Sequence, residues 1–479
     1  MTYFSYVLGN PGKNEKVWNF DTVICAFFLF TTFYFILDVL ARQTLGSTQF
    51  QIEWIFLIIA NLRLVMIPIF QGRSCEKDAL KRAIKLFIPI VVVVVYTTAL
   101  SFLQQDFLSQ HGLYFGAISD NFIIRRGAKY IGYLGLSLYF ASVVNTWKKF
   151  YSVILFLIYS LCIAEIAGFI QSIIYASSGV DILPITRTLD TGFIEISATV
   201  DFLGIKFLRI NSLAHEPKEL AGAMFILFLF KFYAEPFLNK AKQYIHLNTI
   251  FENYLKKSWF FTLIVLFLTF SGSGIIVLTI ILAIIISFQI WRLFILGKPV
   301  QQGKIISILA TGIILLLLFN TNYIISFLDV SILRRIPTLF NQGVLIPVEE
   351  LGLDPEDAAA IIQIKRYPNV ALYGIGFGGF SNLTLPLIVN FYRITIETAS
   401  SFSRNLFIEC LFSSGLVGLC AIFIFAINLF KKASLDPFNY AILMLVIGSY
   451  FMLRGSDQIF FTFIGLSASL NYLNSRGQT

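Results

Sequence analysis

Two stretches of this sequence set arginines beside polar residues that could work with them. The first, Arg209 through Gly222, reads RINSLAHEPKELAG. Glu216 and Pro217 form a helix-start signature, with Lys218, Glu219 and Leu220 in the first turn and an apolar run behind them. Arg209 is therefore expected above a helix N-terminus. A guanidinium at such an end is a favourable phosphate site, because bidentate hydrogen bonding adds to the helix dipole. The plainer alternative is an interfacial arginine that meets lipid head groups. The second stretch opens with RYPNVALYGIGFGGFSN from Arg366 and closes with SRNLFIECLFSSGLVGL. Arg404 and Asn405 stand at the mouth of an apolar helix, with Glu409 roughly one and a half turns inside it. A carboxylate in an apolar span usually faces a partner or a polar cavity. Pairing with an arginine is the first expectation for Glu409, and taking a proton from an attacking hydroxyl the second.

Between them lies GIGFGG, Gly374 to Gly379. It is only superficially a dinucleotide fingerprint, since no strand of a βαβ unit precedes it. A re-entrant turn that brings backbone close to a ligand or to helices is expected instead. Upstream, Asp354-Pro355-Glu356-Asp357 is a good helix start, and the helix should end before Pro368. Ile361, Ile362 and Ile364 are expected to form its apolar face. Aromatic residues in this region (Phe340, Tyr367, Tyr373, Phe377, Phe380 and Tyr392) could stack on sugars or simply mark a membrane interface.

The elements that must position these residues are membrane spans. Hydrophobic residues make up 57% of the 479 and charged residues 13%, and the mean hydropathy is +0.78. A water-soluble surface needs more charge than that. About twelve apolar runs are long enough to cross a bilayer. They fall near 20–40, 52–70, 84–103, 129–147, 152–176, 218–234, 258–271, 274–291, 305–327, 405–430, 438–453 and 457–473. The expected fold is an all-α polytopic membrane protein, one integral-membrane domain over 1–479. No cleavable leader is expected, because the first apolar run is long and lacks a small-residue cleavage pattern.

The net charge of +9 sits in short basic clusters between spans, which argues against nucleic acid as a partner. The clusters are Lys13 and Lys16; Arg73, Lys77, Lys81 and Arg82; Lys148 and Lys149; Lys240, Lys242, Lys256 and Lys257; Arg292, Lys298 and Lys304; Lys431 and Lys432. If spans alternate, all lie on one side, which places both termini in the cytoplasm. The other side receives 104–128, the loop 177–217 with Arg209, the large loop 328–404, and a turn from Arg454 to Ser456. These external segments also hold arginines, among them Arg125, Arg126, Arg187, Arg335 and Arg366. An anionic ligand would account for them; so would the indifference of long loops to charge. Arg63 stands inside the second span, either functional or snorkelling to the interface. The five cysteines form no C-x-x-C pair, and the three histidines are far apart, so neither a disulfide framework nor a metal site is expected.

Taken in order, these motifs resemble the O-antigen polymerase and O-antigen ligase superfamily. The match runs over roughly 200–430: Arg-x5-His-Glu-Pro-x2-Leu-Ala before a span, Ser-Gly-Ser between two spans, and a long external loop. That loop ends in Pro-x4-Tyr-Gly-Ile-Gly-Phe-Gly-Gly-Phe and Arg-Asn-x2-Ile-Glu-x5-Gly-Leu-Val-Gly-Leu. The resemblance implies an inner-membrane glycosyltransferase that uses undecaprenyl-pyrophosphate-linked glycans as donor and acceptor. It implies an inverting reaction at the periplasmic face, without metal or other cofactor. Membrane lipids and a chain-length regulator are further implied partners. By position, Arg209 looks like the arginine that grips donor pyrophosphate, and Arg404, with Gly415, matches the Arg-x10-Gly element. Arg335 and Arg366 are further pyrophosphate-binding candidates, and His215, Glu216 and Glu409 are candidates for the general base. Ligases of the superfamily carry a catalytic histidine just before the asparagine of the last motif. Here Arg404 occupies that place and no histidine follows His246, which favours a polymerase. A ligase and a lipid-linked oligosaccharide flippase remain the alternatives.

Overall fold

A computed structural model describes residues 20–32, 52–67, 69, 74–104, 106, 120–183, 185–189, 192–196, 199–202, 205–214, 217–269, 355–377, 379, 383–384, 387, 406–430 and 457–476. The described chain is mostly helical. Its first helices are α1 (Phe20–Thr32), α2 (Ile52–Met66), α3 (Ser74–Leu103), α4 (Asp120–Val143) and α5 (Trp147–Ser178). After four short strands come α6 (Pro217–Phe232), α7 (Ala234–Ala241), α8 (Thr249–Lys257) and α9 (Trp259–Leu268). Further on are α10 (Pro355–Arg366), α11 (Pro368–Tyr373), α12 (Leu406–Phe430) and α13 (Asp457–Arg476). The expected spans 274–291, 305–327 and 438–453 lie outside the described residues.

Among the described residues two helical segments, Cys75–Leu103 and Trp147–Ser178, are long and apolar enough to cross a membrane. A third candidate is α6 followed by α7, bent by 70° at the break between them. The outward faces are apolar at helical spacing: Ile55, Ile58, Leu62 and Val65 on α2, and Ile163, Ile166, Ile170 and Ile173 on α5, are all exposed. A water-facing helix would carry charge there, so these stripes suit lipid.

The helices meet through small residues, as membrane helices do. Gly132 of α4 lies against Leu57 of α2, and the Asn61 amide donates to the Gly132 carbonyl at 3.0 Å. Gly465 of α13 backs onto Ser137 of α4. Helix ends follow ordinary capping chemistry. Thr146 accepts from the Lys149 N–H to open α5, and Gly179, at φ 69, closes it by donating to Tyr175 O. At the basic end of α2, Arg63 is neither loose nor snorkelling. Its Nε and Nη2 each bond a carboxylate oxygen of the buried Asp21 at 2.8 Å, and Tyr139 adds a third bond to Asp21 at 2.9 Å.

Two expectations need correction. The segment 177–217 is not a plain loop, so the fold is not all-α. It holds two antiparallel hairpins, β1 (Ile185–Leu189) with β2 (Gly192–Ile196) and β3 (Thr199–Phe202) with β4 (Ile205–Leu208). Alternating side chains around Asp190-Thr191-Gly192 and Leu203-Gly204 favour this over coil. Arg125 and Arg126 lie not in a loop but in the opening turns of α4, which starts at Asp120. On α10, Ala359, Ala360 and Gln363 are buried, and Ile364 of the expected apolar face packs against the smaller core cluster. Small residues let the helix sit close, and the Gln363 amide reaches Leu383 O at 2.5 Å.

Candidate functional site

β4 hands the chain to Arg209, which is half-buried between two buried neighbours, Leu208 and Ile210. From there irregular backbone enters the bundle. The Ile210 N–H bonds Leu268 O at the end of α9, at 3.2 Å. Ser212 takes a positive φ of 52, which a non-glycine residue keeps only when its surroundings fix it. They do: its N–H donates to Gln171 Oε1 at 2.8 Å, and its Oγ donates to Ala164 O at 2.6 Å. The Gln171 Nε2 in turn reaches Asp181 Oδ1, Leu183 O and Asn211 Oδ1, at 2.8, 3.0 and 3.0 Å. Gly168 of α5 makes room, since a β-carbon there would stand 3.3 Å from both Ile210 and Ser212. Helix α6 then begins at Pro217, as the helix-start signature requires. Arg209 thus stands at the entry of a braced loop, and α6 follows at Pro217.

The second stretch is held differently. Helix α10 ends at Arg366, before Pro368, as expected. After α11, the glycine-rich turn enters a break in α12 at Gly415, where φ is 63 and ψ −165. That break removes the helical donors of Phe412 O and Ser413 O. The Ile375 and Gly376 N–H groups replace them, at 2.8 and 2.9 Å. The backbone approach is tight: a β-carbon on Gly374 would stand 2.7 Å from Ser413 O, Ser414 N and Gly415 N. On the other side the Phe377 N–H bonds Ser101 Oγ of α3 at 2.7 Å, and Tyr96 OH bonds Tyr373 O at 2.7 Å. The expected close packing against helices is present.

Of the candidate residues, Arg209 and Arg366 are described. They flank different core clusters. Arg209 lies beside the main one through Leu208 and Ile210. Arg366 is near a smaller one formed by Ile123, Ala360, Val370, Ile375, Leu383 and Phe412. Arg366 is exposed and lies over the Tyr367 ring, 5.6 Å from its centroid. The last turn of a helix suits an arginine electrostatically, whatever it binds. Glu409 falls in the first turns of α12; its side chain, with His215, Glu216, Arg335 and Arg404, lies outside the described residues. Phe377 does not offer a ring to a sugar. It is buried and stacked on Tyr130, with ring centroids 5.3 Å apart.

A polar cluster not anticipated from the sequence lies behind Arg209. Glu165 of α5 and Lys231 of α6 are both fully buried and paired at 2.6 Å. Tyr254 and Thr262 each donate to the same carboxylate at 2.5 Å. The signal was one acid and one base inside apolar runs, but a separation of 66 residues hides the pairing. Further out, on α8, Glu252 bonds Lys242 at 2.7 Å and Lys256 at 2.6 Å, and these two hold its carboxyl below the usual range.

The site and fold define a helical protein with apolar, membrane-capable helices. No protein-family model matches the chain, and a search of curated proteins returns no match.

Proposed function

We propose that this chain is a multi-pass inner-membrane glycosyltransferase of about twelve spans, with both termini cytoplasmic and the 177–217 and 328–404 segments periplasmic. It joins undecaprenyl-pyrophosphate-linked oligosaccharide units into O-antigen or a related surface polysaccharide. The resemblance of motif order supports this reading. The observation that carries it is the braced loop that follows Arg209 and leads to α6; a guanidinium and a helix N-terminus acting together there would hold a phosphate.

The chemistry follows from the leaving group. A hydroxyl of the acceptor sugar attacks C1 of the donor, the C1–O bond to the lipid pyrophosphate breaks, and a base takes the hydroxyl proton. Direct displacement inverts the anomeric centre. Negative charge grows on the departing pyrophosphate, and Arg209, with Arg404, Arg335 and Arg366 as further candidates, stabilises it without a metal. His215, Glu216 and Glu409 are the candidate bases.

The test is a gel profile of surface polysaccharide from a deletion strain complemented with wild type, Arg209→Ala or Arg404→Ala. Wild type should extend a single-repeat band into a ladder. Each variant should reach the membrane yet leave the single-repeat band. A full ladder from Arg209→Ala would remove that arginine from the mechanism. Long polymer left on the lipid carrier in the deletion strain would mean a ligase, and units retained inside would mean a flippase.

A further inference from the structure

At the opposite end of the bundle from the glycine-rich turn, the N-terminal part of α3 meets the C-terminal ends of α12 and α13. A cavity of about 430 Å³ opens among them. Its polar lining is Arg82 and Lys85 of α3, Asn428 of α12, and Asn471, Tyr472 and Ser475 of α13. No acidic residue is among the described residues that line it. We propose that this cavity binds the phosphate of an anionic membrane lipid. Under the orientation proposed above, it faces the inner leaflet.

The arrangement fits a phosphate. Arg82 Nη1 bonds Ser475 Oγ at 2.5 Å, and its guanidinium lies over the Tyr472 ring, 5.4 Å from the centroid. The ring and the serine fix the plane of the guanidinium. Among the described residues Ser475 takes one of its five N–H donors, leaving the others for an incoming anion. Lys85 is exposed one turn along α3 and has no ion pair among the described residues. Asn428, exposed on α12, adds an uncharged amide donor. Arg476 lies over the same tyrosine at 5.2 Å and is balanced at the rim by Asp78, 4.0 Å away.

A lipid is favoured over a free phosphate by what flanks the cavity. Ile88, one turn along α3 from Lys85, and Ile424, one turn along α12 from Asn428, are exposed next to lining residues. They offer an apolar surface to acyl chains while the head group enters the polar mouth. Basic pockets between helices at the cytoplasmic interface are suited to this class of ligand.

The probe is phosphatidylglycerol, with phosphatidylcholine as the neutral comparison, added to purified full-length protein in detergent. Bound lipid is counted by native mass spectrometry. Wild type should retain phosphatidylglycerol in excess. Arg82→Gln and Lys85→Gln should each lower that retention about fivefold. Lys81→Gln, an exposed change on the same helix outside the cavity, should leave it unchanged. The proposal is overturned if Lys81→Gln costs as much as the other two, if the double variant keeps full retention, or if phosphatidylcholine is held equally. Inorganic phosphate that strips the lipid from wild type would assign the site to a free anion and overturn the lipid. Should Arg82→Gln lose its fold, Lys85→Gln carries the comparison, because Lys85 is exposed. Retention is read without any polymer assay, so it stands or falls apart from the proposed activity.

Discussion

Two segments enter this helical bundle as irregular backbone, and they are held by opposite means. The 209–214 loop is fastened by side chains: Gln171 alone accepts from the Ser212 N–H and donates toward Asp181, Leu183 and Asn211. The 374–377 turn is fastened mainly by main chain, through two N–H groups on the carbonyls that the Gly415 break frees. Both solve one problem, since backbone polar groups away from water must find partners. The difference lies in where the specification is written. Side-chain fastening resides in a few polar residues of a neighbouring helix. Main-chain fastening resides in glycines, because a close approach leaves no room for a β-carbon.

Breaking the comparison starts at the turn. Gly376→Ala places a methyl against the Ser101 backbone at a φ of 83 and should cost about 3 kcal/mol or more. Folded protein recovered by size-exclusion chromatography should fall sharply; normal recovery would mean the turn is not held as described. Lys231→Met, behind the Arg209 loop, leaves Glu165 buried without its cation. It should cost about 3–5 kcal/mol, and Lys231→Met with Glu165→Gln should recover most of it. A melt in detergent reads both, and a double variant no better than the single would refute the pairing argument. Gln171→Ala orphans the buried Ser212 N–H and should cost about 2 kcal/mol. It should also lower Arg209-dependent chain growth, because the loop loses its brace. Ser101→Ala removes one acceptor from Phe377 and should cost about 1 kcal/mol, with chain growth retained. Equal effects of the last two on both melting and chain growth would dissolve the distinction.

The same difference decides what could be read from the sequence. Glycines announce themselves, so the close-packed turn was legible from GIGFGG, and the starts of α6 at Pro217 and α10 at Pro355 from their proline signatures. Long apolar runs gave α3 and α5. The fastening of 209–214 was not legible, because Gln171 is a lone polar residue within an apolar helix and nothing local says what it meets. Glu165 and Lys231 were hidden for the same reason. The hairpins were overlooked because strands of four or five residues carry too few alternations to stand out beside long helices. Arg63 was ambiguous as a single residue and became simple once Asp21 stood beside it.

The break at Gly415 also bears on how the chain is made. An apolar helix with two open carbonyls is poorly satisfied away from water. Here the donors that close them, Ile375 and Gly376, lie earlier in the chain, and Ser101, which anchors the next N–H, lies earlier still. Synthesis from the N-terminus therefore delivers the cradle before the broken helix that must rest in it. Moving α12 ahead of the turn by circular permutation would reverse that order of delivery while leaving every contact of the finished protein in place.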